Sequence, residues 1–241
     1  MQTGTFKQHL LQLLRYTGLL QAADQGWFLW DRLRHSSANH AFRKQHPDFR
    51  LPPPDLAYDA YGSVNWTAYH ATGRAQAQFI SDLIIHYTTK TGPLAIAEWG
   101  CGPARILRHL PSILPCQITD LTGFDYNPRT IAWCRDAIPD MSFACNNLLP
   151  PLPVEADSFD CLYCISVFTH LSENLHYAWM EELSRIVRPG GIIIMTTHGD
   201  AFRGKLLPHE REEYDQGRLV VRDKVREGKR CFAAYQPPSF M

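Results

Sequence analysis

The spacing of apolar positions changes along this chain and predicts different elements in turn. The residues near the amino terminus predict an amphipathic helix, because they show its i, i+3, i+4, i+7 spacing at Leu10, Leu13, Leu14 and Thr17. The segment GWFLWDRLRH continues with a bulky apolar face, and four prolines between 47 and 54 then predict an extended connection. A further helix is predicted over 66–88, with an inner side formed by Phe79, Ile80, Leu83, Ile84 and Tyr87.

From residue 94 onward, apolar runs alternate with amphipathic segments. The runs predict strands at 94–99, 121–125, 141–146, 159–168 and 192–198. The amphipathic segments predict helices at 103–110, 127–138 and 172–187, with Asn127 and Ser172 as N-caps. Near-continuous apolar strands between helices are typical of a parallel sheet covered on both faces. We therefore expect an α/β, doubly wound, Rossmann-like, mostly parallel sheet over 66–241, preceded by a helical cap and proline-rich connection over 1–65.

Composition narrows the classes of function. The 241 residues are 45% hydrophobic, enough for one large domain or a domain with a cap. Lys and Arg total 24, as do Asp and Glu, so no net field attracts nucleic acid or an anionic membrane. No apolar run approaches the roughly 20 residues of a membrane span, and the N-terminus does not resemble a signal peptide. Seven cysteines, mostly within apolar runs, favour reduced thiols and a cytoplasmic protein.

Cys161 and Cys164 form a C-x-x-C pattern, which invites a metal or redox interpretation. Both lie in the run predicted as the fourth strand. Residues three apart on a strand point to opposite faces, so the two thiols are poorly placed to share a metal. We expect buried structural cysteines and no metal.

In such a sheet, ligands bind where the carboxyl ends of the strands meet the following loops. The first strand ends at Glu98 and is followed by Gly100 and Gly102, and the second ends at Asp125. Glycines let the backbone pass close to a ligand, and an acid ending the next strand is placed to bind a ribose diol. Together they predict an adenosine-type ligand, although the glycine turn alone is also compatible with a simple bend or a dinucleotide site.

Five segments in a fixed order narrow that choice. They are EWGCGPAR at 98–105, GFDYNP at 123–128, LPVEADSFD at 152–160, SVFTHLSE at 166–173 and EELSRIVRPGGIIIMTTHG at 181–199. In order and spacing this series resembles the class I S-adenosylmethionine-dependent methyltransferases over about 100 residues. The resemblance implies S-adenosylmethionine as the cofactor and S-adenosylhomocysteine as its product.

The resemblance also assigns roles at individual positions. Gly100, Cys101 and Gly102 would line the methionine and ribose part of the cofactor, and Glu98 and Trp99 are further cofactor contacts. Asp125 would bind the ribose hydroxyls, with Tyr126 flanking the adenine. The remaining cofactor contacts implied are Asn146, Asn147, Leu148, Ser166, Val167 and Phe168. The sequence departs from the family pattern twice: Ala104 stands where a third glycine is usual, and asparagine replaces the usual acid after the third strand.

Further candidates concern the cofactor carboxylate and the acceptor. Arg105 and Arg74 are candidates for pairing with the carboxylate, and Tyr69 lies in the helix that closes over the methionine end in this family. His170 and His198 follow the fourth and fifth strands and are candidate general bases.

We expect in-line transfer of a methyl group, with O-methylation of a small molecule or saccharide favoured. A non-catalytic cofactor-binding regulator and a nicotinamide-dependent oxidoreductase stay open as alternatives, although Arg105 stands where the latter needs a glycine. The acceptor, the regiochemistry and the oligomeric state are not indicated. After the fifth strand we expect a hairpin around REGK at 226–229 and a sheet lacking part of the usual seven strands.

Overall fold

The computed structural model describes residues 13–14 and 16–241, so the predicted helical position Leu10 lies outside the described residues. Helices are α1 (Leu20–Arg34), α2 (Ser36–Gln45), α3 (Pro54–Tyr61), α4 (Trp66–Tyr87), α5 (Pro128–Ala137), α6 (Glu173–Ile186) and α7 (Pro208–Asp215). Strands are β1 (Leu94–Trp99), β2 (Ile118–Asp125), β3 (Ser142–Cys145), β4 (Phe159–Cys164), β5 (Val187–Met195), β6 (Val220–Arg222) and β7 (Ala233–Tyr235). Short 3-10 helices cover Leu107–Ser112, Phe168–His170 and Asp200–Lys205.

The first five strands form one sheet in the order β3-β2-β1-β4-β5. The central strand β1 runs parallel to β2 on one side and to β4 on the other, with Glu98 opposite Gly123 and Tyr163. Every residue of β1 and β4 is buried, as expected for strands covered on both faces. The predicted α/β, doubly wound, mostly parallel fold is confirmed.

Local sequence signals explain two of the helix starts that position the site. The Asn127 side chain accepts a hydrogen bond from the Arg129 N–H, and Pro128 occupies the first helical position of α5, as predicted. The Asn65 side chain accepts from the Ala68 N–H and caps α4 in the same way.

The helix predicted at 103–110 is wrong. Residues there form turns, followed by the 3-10 helix Leu107–Ser112 with Pro111 inside it. Ala104 has a φ of 52°, which interrupts a right-handed helix at its second residue, and Pro111 donates no backbone hydrogen bond.

Other boundaries also differ from the prediction. The proline-rich connection contains α3, because Pro54 suits a first helical position. Strand β4 ends at Cys164, shortly before Ser166, whose φ is 61°. The fifth strand covers Val187–Met195 rather than 192–198. In α4, Phe79 and Tyr87 are exposed instead of facing inward.

By its internal packing the chain divides into two compact units, which we call the sheet unit (28–165 and 178–194) and the hairpin unit (residues up to 27, 166–177 and 195–241). The hairpin unit contains β6 and β7, an antiparallel pair on either side of the REGK segment, with Val220 opposite Tyr235. The division at residue 65 drawn from the sequence stays a prediction. Among the described residues, no helix combines the length and the apolar content required to cross a membrane.

Candidate functional site

The turn after β1 is held against the end of β2 by backbone hydrogen bonds. The N–H groups of Gly100 and Cys101 both donate to the Phe124 carbonyl, at 2.8 and 2.9 Å. Gly100 and Gly102 have φ angles of 74° and 50°, a region that side chains other than glycine rarely enter. A Cβ added at Gly102 would also lie 2.9 Å from the Ala60 Cβ. Both glycines are therefore required by the backbone path of this turn.

Asp125 joins the two loops through its buried carboxylate. One oxygen, Oδ2, accepts from the Gly102 N–H at 2.9 Å, and Oδ1 accepts from the Asn127 N–H at 2.8 Å. A carboxylate oxygen can accept more than one hydrogen bond. The side chain is thus oriented from both sides, in a manner suited to accepting from a pair of neighbouring hydroxyls.

Asn146, directly after β3, carries a buried acceptor with no partner. Its N–H donates to the Asp125 carbonyl at 3.1 Å, and its Nδ2 donates to the Asn147 carbonyl at 2.6 Å. Because that carbonyl can only accept, the amide orientation is fixed and Oδ1 points the other way. Oδ1 is buried and makes no hydrogen bond. Such a group costs about 1–3 kcal/mol, which a ligand N–H would relieve.

Glu98 is a buried acid that supports the turn from inside the sheet. Its Oε2 accepts from the Tyr163 hydroxyl at 2.9 Å and from the Leu107 N–H at 3.2 Å. Burial raises the pKa of Glu98 to about 8, so its neutral form predominates at pH 7. The geometry makes Glu98 a support for the segment after the turn.

The start of α4 packs against the loop at 103–105. The Tyr69 hydroxyl donates to the Pro103 carbonyl at 3.1 Å, and Tyr69 is fully buried. The Arg105 guanidinium donates to Thr72 and Gln76 at 3.1 and 2.6 Å. Its Cζ also lies 4.5 Å from the centre of the Tyr61 ring. Tyr69 and Arg105 therefore bind the loop to the helices, whereas Arg74 is exposed.

The other predicted residues of the sheet unit differ in their burial and contacts. The Trp99 ring packs on Trp179 with centroids 4.3 Å apart, and the Trp179 indole N–H donates to the Leu148 carbonyl at 3.0 Å. Cys101 is buried, Tyr126 is half-buried and Asn147 is exposed. The structure thus brings together the glycine turn, Asp125 and Asn146 through direct contacts. Trp99 and Leu148 contribute through Trp179, a residue that no sequence motif assigns to the site.

Cys161 and Cys164 are both buried in β4, and burial raises the pKa of the Cys161 thiol to about 12. Thiolates, which metals require, are therefore disfavoured there. In the part of the chain that the structure describes, no group of three or more His, Cys, Asp or Glu side chains is arranged to hold a metal ion.

Within the hairpin unit, the predicted residues 166–170 begin with a strained position. Ser166 has a φ of 61°, its N–H donates to the Thr196 hydroxyl at 2.8 Å, and its carbonyl accepts from Thr169 at 2.6 Å. Val167 is half-buried and Phe168 fully buried. A non-glycine residue held in this backbone region costs of order 1–3 kcal/mol and is most often found at functional sites.

The two candidate bases are each held by a hydrogen bond from ring Nδ1 to a backbone carbonyl. His170 Nδ1 lies 2.8 Å from the Phe232 carbonyl, and His198 Nδ1 lies 3.0 Å from the Ala234 carbonyl. Since a carbonyl only accepts, each Nδ1 carries the proton and each neutral ring has its lone pair on Nε2. Burial lowers the pKa of His198, so its neutral form predominates at pH 7.

Residues 97–195 match the family model described as a methyltransferase domain. Similar solved structures include CalS10 with bound S-adenosylmethionine, an amino pentose methyltransferase from Micromonospora echinaspora, at 19% identity and a TM-score of 0.44 over 61% of this chain and 56% of that protein. The PH0226 protein of Pyrococcus horikoshii OT3 is 17% identical, with a TM-score of 0.49 over 76% of this chain and 82% of that one.

The cyclase SpnF is 22% identical, with a TM-score of 0.39 over 48% of this chain and 43% of that protein. The chain therefore spans about half the length of SpnF and of CalS10.

Proposed function

We propose that this chain, whose residues 97–195 form a class I S-adenosylmethionine-dependent methyltransferase domain, methylates a hydroxyl group of a small molecule or saccharide. The observation that carries the cofactor assignment is the unpartnered, buried Oδ1 of Asn146 beside the doubly anchored Asp125. An adenosine group can donate from its amino group to Asn146 Oδ1 and from its two vicinal hydroxyls to the Asp125 carboxylate. The residues present therefore fit this cofactor.

Each residue of the turn has a defined part in binding. Asp125 would accept from the ribose hydroxyls, and Asn146 would accept from the adenine amino group. Gly100 and Gly102 allow the backbone of the turn to take its positive φ angles. Glu98, Tyr69 and Arg105, which the sequence predicts as cofactor contacts, we instead propose as supports of the turn, and we keep Arg74 as the exposed candidate for the cofactor carboxylate.

The bound cofactor supplies an electrophilic methyl group for in-line displacement. The chain's own contribution is to orient the acceptor and to remove its proton, and orientation alone can supply effective molarities up to the order of 10⁵–10⁸ M. His198 suits the second task because it is neutral at pH 7 with its lone pair on Nε2. We propose His198 as general base and His170, anchored in the same way, as a second acceptor contact.

Two observations support a small, uncharged acceptor in a reducing compartment. The net charge is zero, which gives no field for a polyanion. All seven cysteines are free thiols, as is usual for a cytoplasmic protein. We therefore propose a cytoplasmic enzyme whose acceptor is not a nucleic acid.

Calorimetry with S-adenosylhomocysteine tests the cofactor assignment. The Asp125→Ala variant removes two oriented charged acceptors and should weaken binding by about 100-fold or more. Asp120→Asn, on the same strand but contacting Thr122, is the matched control and should bind like the wild type. The proposal is contradicted if the wild-type protein does not bind S-adenosylhomocysteine at millimolar concentration, or if Asp125→Ala binds it with unchanged affinity.

The same titration separates the alternatives. Binding of NADH instead of S-adenosylhomocysteine would indicate an oxidoreductase. Tight S-adenosylhomocysteine binding without turnover on a broad panel of saccharides and phenols would favour the non-catalytic regulator. Mass spectrometry of the purified protein should detect retained cofactor if the assignment is right.

A further inference from the structure

Gln236, the residue after β7, is a buried glutamine whose amide oxygen and nitrogen are both hydrogen-bonded. It is 1% exposed. Its Oε1 accepts from the His198 N–H at 3.0 Å, and its Nε2 donates to the Phe168 carbonyl at 3.0 Å. Nε2 also lies 2.9 Å from His176 Nε2. Its backbone N–H donates to the His198 carbonyl at 3.1 Å, and its carbonyl accepts from the Tyr214 hydroxyl at 3.2 Å.

The surroundings determine the orientation of this amide. The His198 N–H can only donate, so it must face the amide oxygen. The Phe168 carbonyl can only accept, so it must face the amide nitrogen. His176 Nδ1 lies 2.8 Å from the Ser172 carbonyl and is therefore protonated, which leaves Nε2 as an acceptor for the second amide hydrogen. Both hydrogens and the oxygen of the amide are used.

These bonds join two segments that are distant in sequence. Phe168 belongs to the 3-10 helix after β4 that also contains His170, and His198 follows β5. Both imidazoles are bound through Nδ1 to carbonyls of the segment just before Gln236, at Phe232 and Ala234. A change in the position of residue 236 would therefore move both rings.

We infer that Gln236 is a positioning residue for the reaction: its buried amide fixes the segment carrying His170 relative to the segment carrying His198. This inference rests on the proposed function, in which those histidines contact the acceptor. Gln236 itself acts through hydrogen bonds to the backbone and to His176. Misplacing a reacting group by about 1 Å can cost 100-fold in rate, so a clamp of this kind matters for turnover more than for cofactor binding.

Long-range ¹H–¹⁵N spectra of the histidine rings in the full chain provide the first test. Signals are assigned with single His→Gln variants, and tautomer and pKa are followed from pH 5 to 9. Gln236→Leu should mix the His198 tautomers and move its pKa up toward the ordinary value. Gln236→Glu places a carboxylate oxygen against His176 Nε2, and should protonate that ring and raise its pKa by about one unit or more.

The matched control is Gln216→Leu, at an exposed glutamine of the same unit. It should leave the tautomers and pKa values of His170, His176 and His198 unchanged. If Gln236→Leu does not fold, Gln236→Glu still decides, because its diagnostic signal is the protonation of His176. Unchanged His198 and His176 spectra in a folded Gln236→Leu or Gln236→Glu variant overturn the inference.

Kinetics give the second readout. With any acceptor that is turned over, Gln236→Leu should lower kcat by about 10- to 100-fold while KM for the cofactor stays the same. If Gln236→Leu lowered kcat and raised KM for the cofactor by similar factors, Gln236 would be a structural residue only. Failure of the wild-type protein to bind S-adenosylhomocysteine would refute the proposed function. The histidine spectra need no bound cofactor, so they test the inference about Gln236 separately. The two failures are thus distinguishable.

Discussion

A single buried acid, Glu98, links the candidate site to the pH dependence of stability. Burial raises its pKa to about 8, against an unfolded value near 4.3. The folded state therefore keeps a proton that the unfolded chain releases, so this group's stabilisation is complete below the unfolded pKa and is lost as pH rises toward 8. We predict that Glu98→Gln removes a fall in unfolding free energy of about 2–4 kcal/mol between pH 5 and 8.

Urea unfolding at pH 5, 6.5 and 8 measures this change. The amide carbonyl that the Glu98→Gln substitution introduces can still accept from Tyr163 and Leu107, so the variant should fold, although its new amide hydrogens lower its stability at every pH. The slope against pH is therefore the diagnostic quantity. Glu181→Gln, at an exposed acid of α6, is the control and should keep the wild-type slope. An equal slope in Glu98→Gln would show that Glu98 is ionised in the fold.

At the scale of elements, the approach of α4 to the turn depends on Gly73. A Cβ added there would lie 2.4 Å from the Arg105 carbonyl oxygen, a contact that requires helix or loop to move. Alanine gains about 1 kcal/mol in helix propensity, but overpacking of this kind costs typically 1–3 kcal/mol and the loop is rigidly held. We predict that Gly73→Ala destabilises the fold by about 1–2 kcal/mol and weakens S-adenosylhomocysteine binding.

Gly26 in α1 provides the matched comparison, because nothing lies within 4 Å of a Cβ added there. Gly26→Ala should raise the unfolding free energy by about 0.5–1 kcal/mol and leave binding unchanged. Thermal unfolding and calorimetry on the two variants measure both effects. Stabilisation by Gly73→Ala would mean that helix and loop are further apart than the structure indicates.

Elements with strong local signals were predictable, whereas those decided by tertiary contacts were not. Local sequence is enough to determine the strands β1 and β4, which are apolar runs, and the start of α5 at Asn127-Pro128. The segment at 103–110 has helical spacing, but Tyr69 holds the Pro103 carbonyl and Glu98 holds the Leu107 N–H. These contacts stabilise turns and a positive φ at Ala104 that no local pattern indicates.

The same distinction applies to the site. Asp125 and the glycine turn follow from the rule that ligands bind at strand ends, which needs only the order of elements. Gln236 contacts His198, His176 and Phe168 across 38, 60 and 68 positions, and no periodicity connects residues so far apart. Its role depends on how the hairpin unit folds, and a glutamine near a proline pair has no motif of its own.

For the stability of the molecule as a whole, a cluster of aromatic rings in the sheet unit adds a second pH dependence. The His46 and His70 rings lie 5.2 Å apart, and His70 and His109 lie 5.3 Å apart. Phe49 packs against both His70 and His109. Burial, followed by the charges of His70 and nearby arginines including Arg108, lowers the pKa of His109 to about 4, and burial also lowers that of His70.

Since the unfolded histidine binds a proton near pH 6.5 and folded His109 only near pH 4, stability is present above 6.5 and is lost as pH falls between these values. We predict that His109 lowers the unfolding free energy by about 2–3 kcal/mol over this window, against the opposite effect of Glu98, and that His109→Phe removes that loss. The variant should therefore gain about that amount of stability relative to the wild type as pH falls from about 6.5 to 4. Phenylalanine keeps the packing on Phe49 and removes the unpartnered buried Nε2. His40→Phe, at an exposed position of α2, is the control and should keep the pH dependence of the wild type.

Urea unfolding of the three proteins from pH 7 to 4 measures the effect, and a pH dependence of His109→Phe parallel to that of the wild type would contradict it. The effects of Glu98 and His109 oppose each other between about pH 4.3 and 6.5, and only the effect of Glu98 continues from there to about pH 8, so we expect maximal stability at weakly acidic pH. The two groups lie on either side of the same turn segment, since Glu98 binds the Leu107 N–H and His109 is two residues further on. In the double variant Glu98→Gln, His109→Phe both contributions should disappear, and a fall in stability above about pH 6.5 that persists would place the controlling group elsewhere.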